Sequence, residues 1–379
     1  MSIMQLLRRG GFIKPFRLTN LMQNLSKLIL TSVIVGAVIF LAIGFLLGLD
    51  QTLPVVLQAF SNNYYFLGFA VLCQAISIVV LTMRWRLITN YAHIRIPFRK
   101  MLLITLSGIS FSNLTPSSRM GGEPIRAYFM NKHGGTRMGQ SMATIVTERV
   151  LDAVVYCIFN VIVLIAAILF WDLPSWITLL LLFSFVMSFF LLVTTLYVSF
   201  NSCTGNKVIF WIIDKFAFII RRFQPISRVK KTVKASVDMY CQHSQRLLSY
   251  KGAWFYGVTY SLLLWLFDVL RMFFIFLALG AQVNIVTIGT VLIISLILGA
   301  IPLLPGGLGV IESSMIIIYT SSGITLVLAG MATLIDRVIS FWSLTGVGLL
   351  ASYYLGITKG ETKWLKQTEH KSKTSRKAS

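Results

Sequence analysis

Residues 116–123 read PSSRMGGE and residues 305–312 read PGGLGVIE, two proline- and glycine-containing breaks within otherwise apolar sequence. Each break is followed by a second recurring stretch, MATIVTERV at residues 142–150 and MATLIDRV at residues 331–338. The prolines that begin the breaks, the glutamates that end them and the methionines that begin the second stretches are all 189 positions apart. This common spacing indicates one folding unit used twice, and repeats with helices broken at matching places are typical of membrane transporters.

The composition is that of a protein embedded in a membrane. Hydrophobic residues make up 56% of the chain, and apolar runs such as residues 28–49 and 254–279 reach the ~20 residues that cross ~30 Å of hydrocarbon. The first run follows basic residues but has no small-residue cleavage site, so we interpret it as a retained helix and not as a signal peptide.

The net charge of +22 reports membrane topology. The basic residues cluster in five segments: residues 1–27, 84–100, 126–137, 207–251 and the tail after 359. The connections near residues 50, 172 and 281 contain no lysine or arginine. This alternation follows the positive-inside rule and predicts a multi-pass protein of the cell membrane with cytoplasmic N- and C-termini. It favours anionic lipid at the cytoplasmic face over nucleic acid as a partner.

The same alternation predicts an all-α polytopic membrane protein with about six full transmembrane helices and two re-entrant helical hairpins. Because the two halves begin on opposite sides of the membrane, we expect a 3+3 inverted-repeat arrangement. The basic segment that follows the fourth helix suits helices lying in the headgroup layer, the alternative being a cytoplasmic linker with one short buried helix. The expected segments are a basic cytoplasmic N-terminus at 1–27, membrane repeat 1 at 28–171 with a hairpin at 101–131, membrane repeat 2 at 172–355 with the interfacial segment at 201–251 and a hairpin at 285–320, and a disordered basic tail at 356–379.

Charged residues lie in or beside these hydrophobic elements, where each costs several kcal/mol if it faces lipid alone. Glu148 and Asp152 are one helical turn apart and share a face. The near balance of signs predicts a paired network at the interface of the repeats; the structural alternative is that the acids only neutralise arginines and hold the hairpins in place. The candidate headgroup-binding residues are Arg119, Glu123, Arg126, Glu148, Arg149, Asp152, Asp268, Arg271, Pro305, Gly306, Gly307, Glu312, Asp336 and Arg337.

The two breaks also expose backbone N–H groups at the N-termini of half-helices, close to arginines. Such a position suits an anion, for example a lipid phosphate. Glu123 begins one half-helix, where a carboxylate favours the positive end of the dipole, so it is either a cap or a ligand group.

Other chemistry has no visible residues in the sequence. The four cysteines and four histidines lack metal-type or redox spacing. No nucleophile stands at a recognisable spacing from a base, and no phosphate loop of the ATPase type is present. We therefore expect no metal, no cofactor and no enzymatic activity.

Three motifs in the same order, SSRMGGEPIRAY, TERVLD and PGGLGVIES, together resemble the transmembrane region of the lysylphosphatidylglycerol synthase family. The resemblance extends over residues 28–355. In fused members of that family the membrane region is thought to move a modified phospholipid between leaflets, and a soluble aminoacyl-transferase domain makes that lipid. This chain resembles the membrane region without that domain, so the resemblance does not imply lysyl transfer. The positions that it implies for the lipid path are Arg119, Glu123, Arg126, Glu148, Arg149, Asp152, Pro305, Glu312 and Arg337.

The sequence therefore predicts a flippase-like or scramblase-like translocator of a phospholipid or a polyprenyl-phosphate lipid, gated by alternating closure of the two hairpins. Two alternatives stay open. One is a membrane-embedded enzyme or enzyme subunit acting on a lipid-linked sugar or aminoacyl lipid, with Glu148 or Asp152 as base. The other is a small-anion or ion-coupled carrier, since the charges alone do not require a lipid. The oligomeric state, a homo-oligomer included, is also left open.

Overall fold

The computed structural model describes most of the helical part of the chain. The described residues are 63–115, 121–170, 174–200, 250–299 and 305–356, with isolated positions between 38 and 61 and between 234 and 249. The predicted first helix at 28–49, the basic N-terminus, nearly all of the interfacial segment at 201–251 and the tail from 357 lie outside them.

All regular structure in the described ranges is helical. The helices in chain order are α1 (Tyr64–Tyr91), α2 (Phe98–Leu114), α3 (Glu123–Gly134), α4 (Met138–Phe170), α5 (Ser175–Phe200), α6 (Lys251–Ala278), α7 (Ile285–Leu298), α8 (Val310–Ser321), α9 (Leu326–Arg337) and α10 (Ser343–Leu355). A short 3-10 turn, Pro305–Gly307, lies between α7 and α8. A π-helical segment, Val338–Trp342, joins α9 to α10 into one long helix.

Five helical stretches in the described part are long and apolar enough to cross a membrane. They are Tyr64–Tyr91, Gly139–Leu169, Ser175–Tyr197, Lys251–Ala278 and Leu326–Leu355. These correspond to five of the six predicted spans, and the sixth falls on residues 28–49, outside the described ranges. The all-α polytopic class is thus confirmed.

Helices α2 and α3 pack against each other in antiparallel directions and form the first hairpin, residues 98–134. The packing is tight at the break, because a Cβ atom on Gly122 would lie 1.9 Å from the carbonyl oxygen of Gly108. At the other end, Gly134 packs against Ile96. The predicted hairpin at 101–131 falls within this element. Its re-entry on one side of the membrane stays a prediction.

Helices α7 and α8 pack against each other and, with the 3-10 turn, form the second hairpin, residues 285–321. The turn contains Gly306 at φ +61° and Gly307 at φ +69°, conformations that favour glycine. A Cβ on Gly306 would lie 2.4 Å from the ring of Phe341 and 2.7 Å from the carbonyl oxygen of Asn113, at the end of α2. The break of the second hairpin therefore contacts the end of α2 in the first hairpin.

Two helix pairs make the most extensive contacts between the halves of the molecule. α1 runs antiparallel to α6: the Asn63 amide donates to the Ala278 carbonyl at 3.3 Å at one end, and the Tyr91 and Tyr250 rings lie 5.4 Å apart at the other. α2 packs closely against α10, because Gly348 lets the backbones approach.

The helix contacts within the two halves correspond to one another. In the first half, α1 contacts α2 and α4, and α3 contacts α2 and α4; in the second half, α6 contacts α7 and α9, and α8 contacts α7 and α9. The opposite membrane orientation of the halves, and with it the inverted-repeat arrangement, stays a prediction.

Candidate functional site

A first charge cluster joins α1, α3 and α4. Its members are Arg84, Glu123, Arg126, Glu148, Arg149 and Asp152. The buried Arg84 lies at its centre: Nη2 is 3.1 Å from Glu148 Oε1, and the guanidinium also contacts both carboxylate oxygens of Asp152. Nη1 donates to Ser261 Oγ of α6 at 2.6 Å. Arg84 therefore links three spans at one point.

Glu148 has both carboxylate oxygens engaged. Its Oε2 lies 2.5 Å from Nη2 of Arg126, which reaches it from the first hairpin. The Arg126 guanidinium also lies over the ring of Trp85, 3.9 Å from the ring centroid, a cation–π contact. Since Glu148 and Arg84 have no exposed side-chain surface, their charges are compensated entirely within the protein.

The outer layer of the first cluster is open. Arg149 Nε is 2.9 Å from Glu123 Oε1, and Nη1 is 3.2 Å from Asp152 Oδ2. The Arg149 side chain is 44% exposed and that of Asp152 is 32% exposed. Glu123 begins α3, and its described contact is this ion pair. The arrangement presents one cation flanked by two replaceable carboxylates.

A second charge cluster joins α6, α8 and α9. Its members are Asp268, Arg271, Glu312, Asp336 and Arg337. Arg271 Nε lies 2.8 Å from Asp336 Oδ1, and Nη1 lies 2.5 Å from Asp268 Oδ1. Nη1 also donates to Gln74 Oε1 of α1 at 2.5 Å, so this cluster too reaches into the other half.

Glu312 occupies the N-terminus of α8. Its Oε2 accepts a hydrogen bond of 2.6 Å from the Gly309 N–H, and its Oε1 lies 2.9 Å from Arg337 Nε. A carboxylate three residues into a helix caps the first turn in this way. The anion position predicted at this half-helix is therefore filled by the chain's own glutamate in this structure.

The two clusters repeat the same two links. In each half, an arginine of the span before the hairpin pairs with an acid of the second recurring stretch, residues 142–150 or 331–338. The glutamate at the end of the break pairs with the arginine that directly follows that acid. The pairs are Arg84–Glu148 and Glu123–Arg149 in the first half, and Arg271–Asp336 and Glu312–Arg337 in the second. The charges differ, since three arginines meet three carboxylates in the first cluster and two meet three in the second.

The predicted site residues thus fall into two clusters and a turn. Ten of them form the clusters, and Gly306 and Gly307 lie with Pro305 in the turn between α7 and α8. Arg119 lies outside the described residues. Arg84 is not among the predicted site residues, because the sequence placed it in the basic segment at 84–100. The helix in fact continues to Tyr91, which places Arg84 inside it.

Comparison with known proteins shows the family to which the chain belongs. A model of the family described as the lysylphosphatidylglycerol synthase TM region matches residues 29–348. The chain belongs to this family. The matched range includes both charge clusters and both hairpins of this chain.

The family includes archaeal relatives that are named as UPF0104 membrane proteins. One, from Methanothermobacter thermautotrophicus, is 32% identical over 294 residues, which are 77% of this chain and 86% of the relative. A second, from Pyrococcus horikoshii, is 25% identical over 83% of this chain and 94% of its own length. A third, from Methanocaldococcus jannaschii, is 26% identical over 84% and 92%. These similarities extend over nearly the whole membrane region.

Proposed function

We propose that this chain is an integral membrane lipid translocator, flippase-like or scramblase-like, that moves a phosphate-bearing lipid between leaflets. The observation that carries the proposal is the exposure of Arg149. Its side chain is 44% exposed, whereas the other four arginines of the two clusters are between 0 and 9% exposed. A cation that is open inside a membrane span is a functional residue by default.

A lipid phosphate would bind Arg149 by exchange. A guanidinium group can donate two parallel hydrogen bonds to the oxygens of one phosphate. An incoming headgroup therefore replaces Glu123, which lies 2.9 Å from Arg149. Glu123 belongs to the first hairpin and Arg149 to α4. Each exchange therefore releases the hairpin from α4 at this point, while the buried Arg126–Glu148 pair keeps the hairpin attached.

The second hairpin would take the corresponding step. Glu312 holds α8 to Arg337 of α9, and the turn that precedes it contacts the end of α2 through Gly306. A π-helical segment begins directly after Arg337, and such segments often occur at functional sites. The two glutamate–arginine pairs are the two gates, and their matching positions support an inverted repeat with alternating closure.

The proposed substrate is a phospholipid or a polyprenyl-phosphate lipid whose tails stay in the bilayer while the headgroup passes the clusters. The description of the family supports a lipid. We further propose that the protein resides in the cell membrane with both termini in the cytoplasm, and that anionic lipid lies against its basic cytoplasmic segments.

The enzyme alternative has less support from the site. Both oxygens of Glu148 are held by arginines and the side chain is fully buried. Both oxygens of Asp152 contact Arg84, so neither carboxylate is free to accept a proton from a substrate. The small-anion alternative uses the same exposed Arg149. It differs from lipid transport in needing no lateral path between helices, so an assay must compare a lipid with a soluble anion.

The test is leaflet exchange of headgroup-labelled phosphatidylglycerol in proteoliposomes, with entrapped inorganic phosphate as a second cargo. We expect the wild type to exchange the lipid and to retain the phosphate, and Arg149→Gln to slow lipid exchange at least about tenfold, since a lost charge-assisted hydrogen bond is worth about 1.5–3 kcal/mol. Lys251→Gln, an equal change of charge at an exposed position at the start of α6, is the control. Equal lipid exchange by a folded Arg149→Gln variant contradicts the proposal, and release of phosphate without lipid exchange supports the anion carrier.

A further inference from the structure

A cavity of about 540 Å³ lies between the end of α1 and the beginning of α2. Its lining residues are Arg86, Asn90, Arg95, Ile96 and Pro97. The volume is within the ~300–1,000 Å³ typical of ligand pockets. The lining contains two guanidinium groups, one amide and two apolar side chains, and none of these five residues is acidic.

The chain turns sharply beside this cavity. The Ile94 N–H donates to the Thr89 carbonyl at 2.9 Å and the His93 N–H donates to the Asn90 carbonyl at 3.0 Å, the pair of bonds that ends a helix in a Schellman motif. His93 occupies the left-handed position of that motif at φ +61°, where glycine is usual. A non-glycine residue in this conformation is strained, so the surrounding structure holds the turn in place.

The turn and the helix bring the polar groups together. Arg86 and Asn90 are four residues apart on α1, so they lie on one face of the helix. Arg95 stands between Ile94 and Ile96, both of which are buried in the protein. Arg95 is exposed whereas the two isoleucines are buried, and Arg95 lines the same cavity as Arg86.

The N-terminus of α2 opens beside the same cavity. Pro97, one of the lining residues, is the N-cap of this 17-residue helix, which has no side-chain cap and no acidic residue in its first turn. The first-turn N–H groups and the positive end of the helix dipole are therefore not compensated by a carboxylate of the helix itself. This differs from α8, where Glu312 fills the corresponding position.

We propose that this cavity is a binding site for a phosphate group, held by Arg86, Arg95 and the first turn of α2. The site is separate from the first charge cluster. Residues two apart on a helix point about 200° away from each other, and Arg84 is buried within the cluster whereas Arg86 is exposed. The phosphate is either that of an anionic lipid headgroup or free inorganic phosphate, and the binding does not depend on lipid translocation.

The experiment measures bound ligand on the full-length protein in nanodiscs of phosphatidylcholine with or without phosphatidylglycerol. Native mass spectrometry counts retained phosphatidylglycerol, and titration calorimetry follows inorganic phosphate. The test variant combines Arg86→Gln with Arg95→Gln, and the control combines Lys234→Gln with Lys251→Gln, which removes the same two charges at exposed positions. We expect each lost arginine to weaken binding about tenfold, and thermal unfolding to be unchanged because both side chains are exposed.

The outcomes identify the ligand or overturn the site. Retention of phosphatidylglycerol that the test variant loses, and that inorganic phosphate does not displace, assigns the cavity to a lipid headgroup. Binding of inorganic phosphate in pure phosphatidylcholine, lost in the same variant, assigns it to the free anion. Equal binding of both probes by the test variant and by the control with Lys234→Gln and Lys251→Gln overturns the proposal. Should the double variant unfold, the two single variants give the same comparison. Loss of leaflet exchange in Arg149→Gln with binding intact in this assay separates the two proposals.

Discussion

Substitution of Glu148 by glutamine tests whether the first charge cluster is a compensated network. The Glu148 carboxylate lies 3.1 Å from Arg84 and 2.5 Å from Arg126, and it is fully buried. In Glu148→Gln, Arg84 keeps Asp152 as its carboxylate partner. Arg126 keeps only its cation–π contact with Trp85 among the strong contacts described for it.

The expected cost follows from leaving a buried arginine without its counter-ion. Removal of one member of a buried pair costs about 3–5 kcal/mol of unfolding free energy. We expect the lower part of that range, because the unfolded state of a membrane protein also finds partners for its polar groups. Glu123→Gln is the comparison: its partner Arg149 is 44% exposed, so the loss should be about 1 kcal/mol or less.

A double variant separates charge compensation from general damage. Arg126→Met with Glu148→Gln removes both charges and keeps the volume of the long side chain, and such replacements are often nearly neutral. The coupling energy between the two sites should therefore reach about 2 kcal/mol. The assay is reversible unfolding in mixed micelles, followed by tryptophan fluorescence. Additive losses, or a Glu148→Gln variant as stable as Glu123→Gln, would refute the reasoning.

Four further substitutions test the helix packing and the second charge cluster. Gly348→Ala should cost about 1–3 kcal/mol, because its Cβ would lie 2.2 Å from an α2 carbonyl oxygen; Gly346→Ala, with no atom within 4 Å, should stabilise by up to about 1 kcal/mol. The unfolding temperatures of the two variants are compared, and equal shifts would contradict the α2–α10 contact. Gly306→Ala should lower the unfolding temperature and slow leaflet exchange, because φ is +61° and the added Cβ would lie 2.7 Å from the carbonyl oxygen of Asn113; unchanged values contradict the contact between this turn and the end of α2. Glu312→Gln should lower the free energy of unfolding by about 3–5 kcal/mol, because it removes the carboxylate partner of the buried Arg337. A loss below about 1 kcal/mol would mean that Arg337 has another counter-ion.

The helices and breaks could be predicted from the sequence because their signals are local. Span length follows from apolar runs, and the breaks follow from glycine and proline. The Glu312 cap could be predicted for the same reason, because the glutamate stands three residues after Gly309, a spacing that indicates a cap.

The partners within the clusters could not be predicted, because they depend on tertiary packing. Arg126 and Glu148 are 22 residues apart, and Arg271 and Gln74 are 197 apart, separations at which no helical periodicity acts. Arg84 was missed for a related reason. A basic residue near the end of an apolar run reads equally as the start of a cytoplasmic segment or as a buried charge, and only the packing of α4 and α6 around it decides between them.

The most direct test of the central claim is to locate a lipid headgroup against the charge clusters during exchange. Phosphatidylglycerol with a photoreactive headgroup would be irradiated in proteoliposomes containing the wild type, and the labelled peptides would be mapped by mass spectrometry. The account predicts labelling of α3 and α4 around Glu123 and Arg149, reduced by unlabelled phosphatidylglycerol and absent in Arg149→Gln. Labelling confined to the outer faces of α4 and α5, and unaltered in Arg149→Gln, would contradict a headgroup path through the cluster.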